Sequence, residues 1–405
     1  MSRAHPGFSR LFSPVKIGNF QAKNRIAAAP TGRGDCNPDG TPNDQTICSY
    51  VALAKGGVGL VIVELTMAIN NYGQGMSRLL GIHSDSQMLS WRQLSDTLHA
   101  LKALAVVQLS PGIGRWARRR DSIEVVAPSE VGGEIPLGSA PKGLKRFEGA
   151  RSSRPRALTT EEVEEMGELY VAAARRVKRA GFDGIEFHGA HGYLLAQFLS
   201  PATNRRQDKY GGSFERRLTF PLNLILKTRE AVGNDFILGF RISGDEHMEG
   251  GYSLEDTRKM VPALIGAGLD YIHVSSGCIS AWNWTFPPKE GVIAPEAAEV
   301  KKVSSVPVIC PNIHLPRLGE SVIAEGKADI VSLSRGLLCD PQWPNKVREG
   351  REKEIVKCLF CNTCLDHIHN DFGVRCPQNP RVGWERFFPE YQPPLVTVPR
   401  VQDPR

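Results

Sequence analysis

The feature that most constrains the fold is a recurrence of short, β-rich apolar runs along most of the chain. Longer segments lie between them, and in these the apolar residues recur at helical spacing. The eight runs cover residues 25–29, 59–64, 103–109, 184–188, 236–242, 271–275, 306–310 and 330–334. Continuous apolar strands that alternate with helices are typical of a parallel sheet whose faces are covered by the helices.

Six of the intervening segments are predicted to be helices, at residues 43–55, 86–102, 159–180, 214–232, 253–267 and 315–325. The third has the clearest boundaries, because Thr159 can cap its first turn and Gly181 follows a basic last turn. Eight strand–helix units over about 340 residues fit a closed barrel better than an open doubly wound sheet. The predicted fold class is therefore α/β, a (β/α)8 TIM barrel with a small C-terminal module.

The 405 residues divide into three predicted parts. Residues 1–350 form the barrel, residues 351–385 form a four-cysteine module, and residues 386–405 form a Pro-rich tail. Within the barrel, residues 112–158 are rich in Gly, Pro and Arg and are too long for a simple strand–helix loop. This insertion is predicted to be a functional excursion at the barrel mouth, where its basic residues would suit an anionic substrate or a partner protein.

Composition excludes several classes of protein. No stretch approaches the ~20 apolar residues that a membrane span requires. The N-terminus lacks the apolar segment of a secretory signal, so we expect a cytoplasmic protein. The net charge of +7 is mild, and no nucleic-acid motif or interleaved aromatic pattern accompanies it. Neither a membrane protein nor a nucleic-acid-binding protein is predicted.

Four of the nine cysteines are grouped near the C-terminus. Cys358, Cys361 and Cys364 have three-residue spacing, and Cys376 follows and precedes a proline. Three closely spaced thiolates with a fourth from a returning loop are the usual ligands of an iron–sulfur cluster. Four thiolates can also hold zinc. The compact spacing and the proline favour a [4Fe–4S] cluster with these four cysteines as its ligands.

A second group of reactive side chains follows the fourth apolar run. His188 and His191 are three residues apart and Tyr193 comes two residues later, at a strand end where barrel enzymes place their chemistry. Two imidazoles can polarise a carbonyl oxygen while a phenol delivers a proton, which is acid catalysis without a metal. Alternatively, these histidines are structural or form a zinc-binding pair.

Residues 112–117 match the Gly-rich pattern of a dinucleotide-binding site. They lack the helix and the acidic residue that should follow in such a site, so a dinucleotide site is not predicted there.

The residues after Tyr193 show which protein family the chain resembles. Residues 204–217, with the segments 11–14, 23–26, 107–109 and 334–341, resemble the old yellow enzyme family of NADH:flavin oxidoreductases. The resemblance covers residues 8–385. The cysteine pattern narrows it to the iron–sulfur branch of bacterial 2,4-dienoyl-CoA reductase and trimethylamine dehydrogenase.

The resemblance implies that the barrel binds FMN. Gln108 would hydrogen-bond the pyrimidine edge of the flavin, and Arg241 would lie near N1 and O2, where a cation stabilises the reduced flavin. The loops after the seventh and eighth strands would bind the phosphate. The cofactor-binding residues implied are Ala29, Pro30, Thr31, Gln108, Arg241, Asn312, Ile313, Ser334, Arg335 and Gly336.

The resemblance also implies a reaction. His188 and His191 would hold a substrate oxygen above the flavin, hydride would pass from FMN N5 to the β-carbon of an activated alkene, and Tyr193 would protonate the α-carbon. Tyr72, Trp282 and Trp284 are further candidates for substrate binding. The predicted enzyme is thus an FMN-dependent ene-reductase acting on an α,β-unsaturated carbonyl or thioester, with electrons relayed through the cluster. The alternatives are an amine or N-methyl dehydrogenase or demethylase and a non-catalytic electron-transfer subunit.

Relatives in the iron–sulfur branch commonly continue into flavin- and nicotinamide-binding domains, and this chain ends before them. We therefore expect a separate reductase or ferredoxin as partner, or direct reduction by NADH or NADPH. The substrate is expected to be a small molecule, and a homo-oligomer is left open.

Overall fold

The computed structural model describes residues 5–72, 78–118 and 123–388. Eight parallel strands form a closed barrel, since the first strand pairs with both the second and the eighth. The strands are β1 (Ile26–Ala28), β2 (Leu60–Met67), β3 (Leu104–Ser110), β4 (Gly184–Gly189), β5 (Ile237–Ser243), β6 (Tyr271–Ser275), β7 (Val308–Cys310) and β8 (Ile330–Leu333). The prediction of a TIM barrel from eight apolar runs is confirmed.

A helix follows every strand of the barrel. The helices are α1 (Asp44–Lys55), α2 (Met88–Ala100), α3 (Thr160–Arg179), α4 (Phe214–Val232), α5 (Leu254–Gly266), α6 (Ala294–Val303), α7 (Pro316–Ala324) and α8 (Trp343–Arg348). The six predicted helices are confirmed, and Thr159 caps α3 as expected. The helices α6 and α8 are additional findings. Shorter helices occupy Leu194–Leu199, Trp282–Thr285, Arg335–Cys339 and Thr363–His369.

The barrel interior is built in layers from alternate residues of each strand. At the N-terminal end the layer is apolar and includes Leu60, Val106, Ile237 and Ile330. An antiparallel hairpin of Val15–Ile17 and Phe20–Ala22 packs on this layer and closes that end of the barrel. The opposite, C-terminal end is the one left for chemistry.

The next interior layer is polar. Because side chains of the same strand face the interior at every second residue, Val106 is followed inside the barrel by Gln108, and Ile237 by Gly239 and Arg241. Gly239 is required at its position, because a Cβ there would overlap the ring of Tyr271. The polar residues of this layer form the floor of the cavity described below.

The insertion at residues 112–158 and the cysteine segment pack against each other over the barrel mouth. Leu144 of the insertion, Leu338 after β8, and Leu365 and Ile368 of the cysteine segment belong to one apolar cluster. Gly143 lies against the carbonyl of Cys361 so closely that a side chain would overlap it. The insertion is therefore held on the mouth by the cysteine segment.

The basic residues of the insertion are largely paired within the chain. Arg118 pairs with Asp371 at 3.2 Å, and Arg146 pairs with Asp366. The other pairs join Arg151 to Glu134, Arg154 to Glu130, and Arg156 to Glu124 and Glu162. These carboxylates offset much of the positive charge that the sequence placed there. Binding of an anionic substrate or a partner protein by this insertion stays a prediction.

Two further predictions concern the ends of the chain and the membrane. Most of the predicted Pro-rich tail, residues 389–405, lies outside the described residues. Among the residues that the structure describes, no helix combines the length and the apolarity needed to cross a bilayer.

Candidate active site

A cavity opens at the C-terminal end of the barrel, with about 1080 Å³ of space free of protein atoms, part of it continuous with solvent. It brings together most of the residues that the sequence marked as functional. Those residues are Ala29, Pro30, Thr31, Gln108, His188, His191, Tyr193, Arg241, Asn312, Ser334 and Arg335. They come from the ends of six different strands, so only the closed barrel makes them neighbours.

The His188–His191–Tyr193 group forms one wall of the cavity. The two imidazole centroids are 5.1 Å apart with nearly perpendicular rings, and the Tyr193 ring is 5.1 Å from that of His188. His191 Nε2 lies 2.6 Å from the Ser275 hydroxyl, and its backbone N–H donates to Ser243 at 3.1 Å. These bonds fix the ring of His191 although its backbone has a φ of 63°. The predicted catalytic group is therefore assembled and oriented.

All three side chains are neutral at physiological pH. Burial lowers the pKa of His188 well below its ordinary value, and the positive charge of Arg241 lowers it further. The same two causes lower the pKa of His191. Burial raises the pKa of Tyr193 to about 12, an effect that Arg241 only partly opposes. Each neutral imidazole has one N–H to donate, and the phenol keeps its proton.

A buried hydrogen-bond network supports the cavity floor. Gln108 Nε2 donates to Glu186 at 2.7 Å, and the same carboxylate is 2.8 Å from His273 and 2.9 Å from the Tyr271 hydroxyl. Burial would raise the pKa of Glu186, yet His273, Arg241 and Tyr271 hold it below its ordinary value. The carboxylate is thus ionised, and it fixes the amide of Gln108 so that its oxygen remains available to the cavity.

The opposite end of the cavity lies beside the loops after β7 and β8. Thr31 and Ser334 are joined through their hydroxyls at 2.8 Å. Arg335 is only 6% exposed and donates to the Asn362 side chain at 2.6 Å and to the Pro287 carbonyl at 3.1 Å. Asn312 has a φ of 60°, a left-handed conformation that asparagine tolerates better than most residues. A buried cation and half-buried hydroxyls on the cavity wall are suitable partners for a phosphate.

Several polar atoms of the cavity wall are buried without a partner in the protein. They are Arg241 Nε, His188 Nδ1, Asn312 Oδ1 and His314 Nδ1. Buried polar groups normally have hydrogen-bond partners, and each one left unpaired costs about 1–3 kcal/mol. Their distribution along the cavity, from the barrel floor to the loop after β7, matches an elongated polar ligand such as FMN.

Some predicted residues lie elsewhere. Tyr72 packs half-buried against the barrel core, outside the cavity wall. Trp282 is 5% exposed and packs in the cluster beneath the insertion, while Trp284 is 41% exposed and stacks on His247 at 3.7 Å. Their prediction as substrate-binding residues finds no support in this geometry.

The two remaining predicted cofactor residues are near the cavity but not on its wall. Ile313 is fully buried in the main core, and Gly336 lies in the Arg335–Cys339 helix beneath the ring of His314. Both therefore shape the loops that carry Asn312 and Arg335 rather than facing the cavity.

The cavity also contains residues that the sequence did not indicate. Leu365, Ile368 and His369 of the cysteine segment form part of its wall, as do Phe286 and His314. Burial, with Arg335 nearby, lowers the pKa of His314 to about 3. The segment 363–369 follows β8 by thirty residues and no periodic signal ties it to the barrel mouth. Only its packing on the insertion reveals that it covers the cavity.

A second, smaller pocket lies behind Arg335. It is lined by the four predicted ligands Cys358, Cys361, Cys364 and Cys376, and by a fifth cysteine, Cys339. All five are free thiols. Phe360 and Asn362 both have positive φ values, of 52° and 61°. These two left-handed residues wrap the segment 358–364 around the pocket. The strain at Phe360, which has a bulky side chain, is of the kind that is concentrated at functional sites.

A single metal ion has no evident binding site in the described structure. Across residues 5–72, 78–118 and 123–388, no three His, Cys, Asp or Glu side chains are grouped so that they could hold one ion. The [4Fe–4S] cluster therefore stays a prediction at this stage.

Comparison with known proteins agrees with the cavity. Residues 10–354 match the model of the NADH:flavin oxidoreductase / NADH oxidase family. An NADH oxidase of Thermoanaerobacter brockii is 40% identical over 95% of this chain and 58% of its own length. A cinnamate reductase of Clostridium sporogenes is 34% identical over 93% of this chain and 58% of its own length. The chain thus spans less than two thirds of these curated relatives.

A solved structure of a 2-naphthoyl-CoA reductase in complex with 2-naphthoyl-CoA has the same fold, with a TM-score of 0.84 and 29% identity. The match covers 94% of this chain and 58% of that one. The flavin and the nicotinamide nucleotide in the family's description agree with the FMN and the NADH or NADPH expected from the sequence. The chain therefore belongs to the NADH:flavin oxidoreductase / NADH oxidase family, and the prediction of a flavin-dependent oxidoreductase is confirmed.

Proposed function

We propose that this chain is an ene-reductase that binds FMN in the barrel cavity and reduces the C=C bond of an α,β-unsaturated carbonyl compound or thioester. The observation that carries the proposal is the grouping of two neutral imidazoles and a protonated phenol on one wall of that cavity. The similarity to a cinnamate reductase supports the same class of reaction.

The two histidines would bind the substrate oxygen. Each is neutral, so each offers an N–H without bringing a full positive charge into the cavity. Negative charge accumulates on the carbonyl oxygen when an activated alkene accepts hydride, and donors aimed at that oxygen lower the barrier. The Ser275 contact orients His191, while His188 is fixed by burial in β4. The pair is thus prepared to hold one oxygen.

Tyr193 would donate the proton. Its pKa of about 12 keeps the hydroxyl protonated throughout the physiological range. Its ring stands nearly perpendicular to both imidazoles, so the hydroxyl and the histidine N–H groups can contact different atoms of one substrate. When bound, reduced FMN supplies the hydride. The unpaired polar atoms of Arg241 and Asn312 are suited to hold the FMN.

The charge of the cavity favours reduction of an oxygen-bearing substrate over oxidation of an amine. Among the described residues that line it, Arg241 and Arg335 are the charged ones, and none is Asp or Glu. Because both cations would face the bound flavin and its phosphate, the preference comes from the described wall having no carboxylate to pair with a protonated amine. The imidazole N–H groups, by contrast, suit a carbonyl or carboxylate oxygen. The amine dehydrogenase alternative therefore has the weaker physical support.

We further propose that the cysteine pocket holds the [4Fe–4S] cluster, with Cys358, Cys361, Cys364 and Cys376 as its ligands. Their thiols line one pocket, and thiolates are the usual ligands of such clusters. Arg335 borders both this pocket and the cavity. The cluster would therefore lie next to the flavin and would pass it electrons from a separate reductase or a ferredoxin, whereas NADH or NADPH would reduce the flavin directly by hydride transfer.

The experiment that tests both proposals is anaerobic purification followed by FMN, iron and zinc quantitation and stopped-flow kinetics. We expect one FMN and four irons per chain, and rapid reoxidation of the reduced flavin by cinnamate or by an enone. Flavin that is bleached by amines but not reoxidised by any enone would contradict the ene-reductase. FMN without iron would leave the ene-reductase standing and refute the cluster. Steady-state oxidation of NADH or NADPH by the isolated chain distinguishes direct reduction from a need for a partner.

The pH dependence of the oxidative step gives a prediction from the same pKa values. The pKa of both histidines is lowered and that of Tyr193 is raised, so none of the three ionises between about pH 6 and pH 10. The rate of flavin reoxidation by a non-ionising enone should therefore be flat through neutral and mildly alkaline pH and fall only as the pH approaches the pKa of Tyr193. Stopped-flow measurements at saturating enone check this. An ascending limb at neutral pH would show that an imidazole titrates during the reaction.

A further inference from the structure

Cys339 is a fifth thiol in the pocket of the four predicted cluster ligands. It is 4% exposed, and its sulfur is 3.5 Å from that of Cys376. The CxxCxxC segment and Cys376 already supply the four thiolates that a cubic cluster needs. Cys339 is outside that pattern, and nothing in the proposed reaction uses it. Its contact with a ligand therefore calls for a separate role.

The position of Cys339 is fixed by the barrel rather than by the cysteine loop. It is the last residue of the Arg335–Cys339 helix, which follows β8 directly. The Asn379 side chain donates to the Leu338 carbonyl at 2.8 Å, and a bridge between Cys376 and Asn379 closes the turn that bears Cys376. These bonds hold the two sulfurs together from both sides. The contact is thus a built feature of the fold.

The separation of the two sulfurs defines the interaction. A disulfide requires about 2.05 Å between sulfurs, so the pair at 3.5 Å is not bonded covalently. The distance suits a hydrogen bond between a thiol and a sulfur acceptor. If Cys376 binds iron, it does so as a thiolate with no proton to give, which makes Cys339 the donor.

We propose that the Cys339 thiol donates a hydrogen bond to the sulfur of Cys376 and thereby raises the reduction potential of the cluster, an inference that rests on the proposed [4Fe–4S] site. Reduction adds negative charge to the cluster and its thiolates. A donor hydrogen bond stabilises the more negative state more strongly, and hydrogen bonds to the sulfurs are among the factors that set cluster potentials. Cys339 is accordingly a positioning residue that tunes electron delivery, and it is not a ligand.

The test is a redox titration of the holoenzyme followed by electron paramagnetic resonance. In Cys339→Ala the donor is lost, and we expect a tenfold smaller ratio of reduced to oxidised cluster at a fixed potential, which is about 59 mV for a one-electron couple. Cys339→Ser keeps a hydrogen-bond donor, so its cluster potential should return most of the way to the wild-type value. Cys48→Ala is the matched control, because Cys48 is an equally buried cysteine on α1, away from the pocket. It should titrate like the wild type.

Measuring the iron content distinguishes a failure of this inference from a failure of the cluster proposal. Wild type, Cys339→Ala and Cys48→Ala should all contain four irons per chain, whereas Cys376→Ala should lose iron. An unchanged potential in Cys339→Ala with full iron would refute the tuning role and leave the cluster intact. Loss of iron in Cys339→Ala but not in Cys376→Ala would make Cys339 the ligand and refute the inference. A wild-type protein without iron would refute the cluster itself.

Discussion

Replacing Tyr193 with phenylalanine is expected to slow reoxidation of the reduced flavin by an enone about 10²-fold or more. That is the usual contribution of a positioned general acid to a protonation step. In the proposed reaction the phenol is the proton donor beside the two histidines, because its pKa is about 12 and its ring is 5.1 Å from that of His188. The variant keeps the ring and loses only the hydroxyl, so packing around it should be preserved.

Reduction of the flavin by NADH or NADPH should be little changed in Tyr193→Phe, because that half-reaction requires no proton from the tyrosine. Anaerobic stopped-flow measures the two half-reactions separately. Tyr72→Phe is the matched control, since Tyr72 is a half-buried tyrosine outside the cavity wall. It should behave as wild type. Equal reoxidation rates in Tyr193→Phe and the wild type would show that water or another group delivers the proton.

The barrel could be predicted from the sequence because its strands are buried on both faces. Such strands are continuous apolar runs, and a polar residue within one stands out. Gln108 and Arg241 interrupt two of these runs at inward-facing positions, and the structure places both on the cavity wall. The alternation of inward- and outward-facing residues along a strand therefore helps to predict the floor of the site as well as the fold.

The rim of the site was less predictable because packing between distant segments decides it. Trp282 and Trp284 are two residues apart, yet one turns into the cluster under the insertion and the other stacks on His247 near the surface. Helix α6 was missed although a proline in its first turn is a typical helix-start signal, one that it shares with the predicted helix α7. Cys339 appeared in the sequence as an isolated cysteine, and only the return of the chain brings Cys376 beside it.

Arg335 stands between the two proposed cofactors, and its replacement by glutamine should weaken FMN binding about 10²-fold. Its guanidinium lines both the barrel cavity and the cysteine pocket. A hydrogen bond to a charged group contributes about 1.5–3 kcal/mol, and about 2.7 kcal/mol corresponds to 10²-fold in affinity. Glutamine can keep one contact with Asn362 but cannot supply the charge.

The measurement is titration of the flavin-free protein with FMN. A second variant separates the contribution of the Arg335 charge from that of its side-chain geometry. Arg335→Lys retains the cation without the fork that reaches both Asn362 and Pro287, so it should lose less affinity than glutamine does. Arg229→Gln is the control for general destabilisation, because Arg229 binds Asp270 and the Gly268 carbonyl away from both pockets. An FMN affinity in Arg335→Gln within twofold of the wild type would exclude Arg335 from the phosphate site.

The same substitution should also lower the reduction potential of the cluster, because a buried cation favours the more negatively charged reduced state. Phe360 and Phe286 flank the guanidinium, with its central carbon 5.1 and 5.9 Å from their ring centroids, so water cannot readily replace the lost charge. Weaker FMN binding together with a lower cluster potential in one variant would mean that a single residue adjusts both cofactors. Weaker FMN binding with an unchanged potential would instead restrict the effect of Arg335 to the flavin site, and the cluster potential would then depend on other groups of the cysteine pocket, the Cys339–Cys376 contact among them.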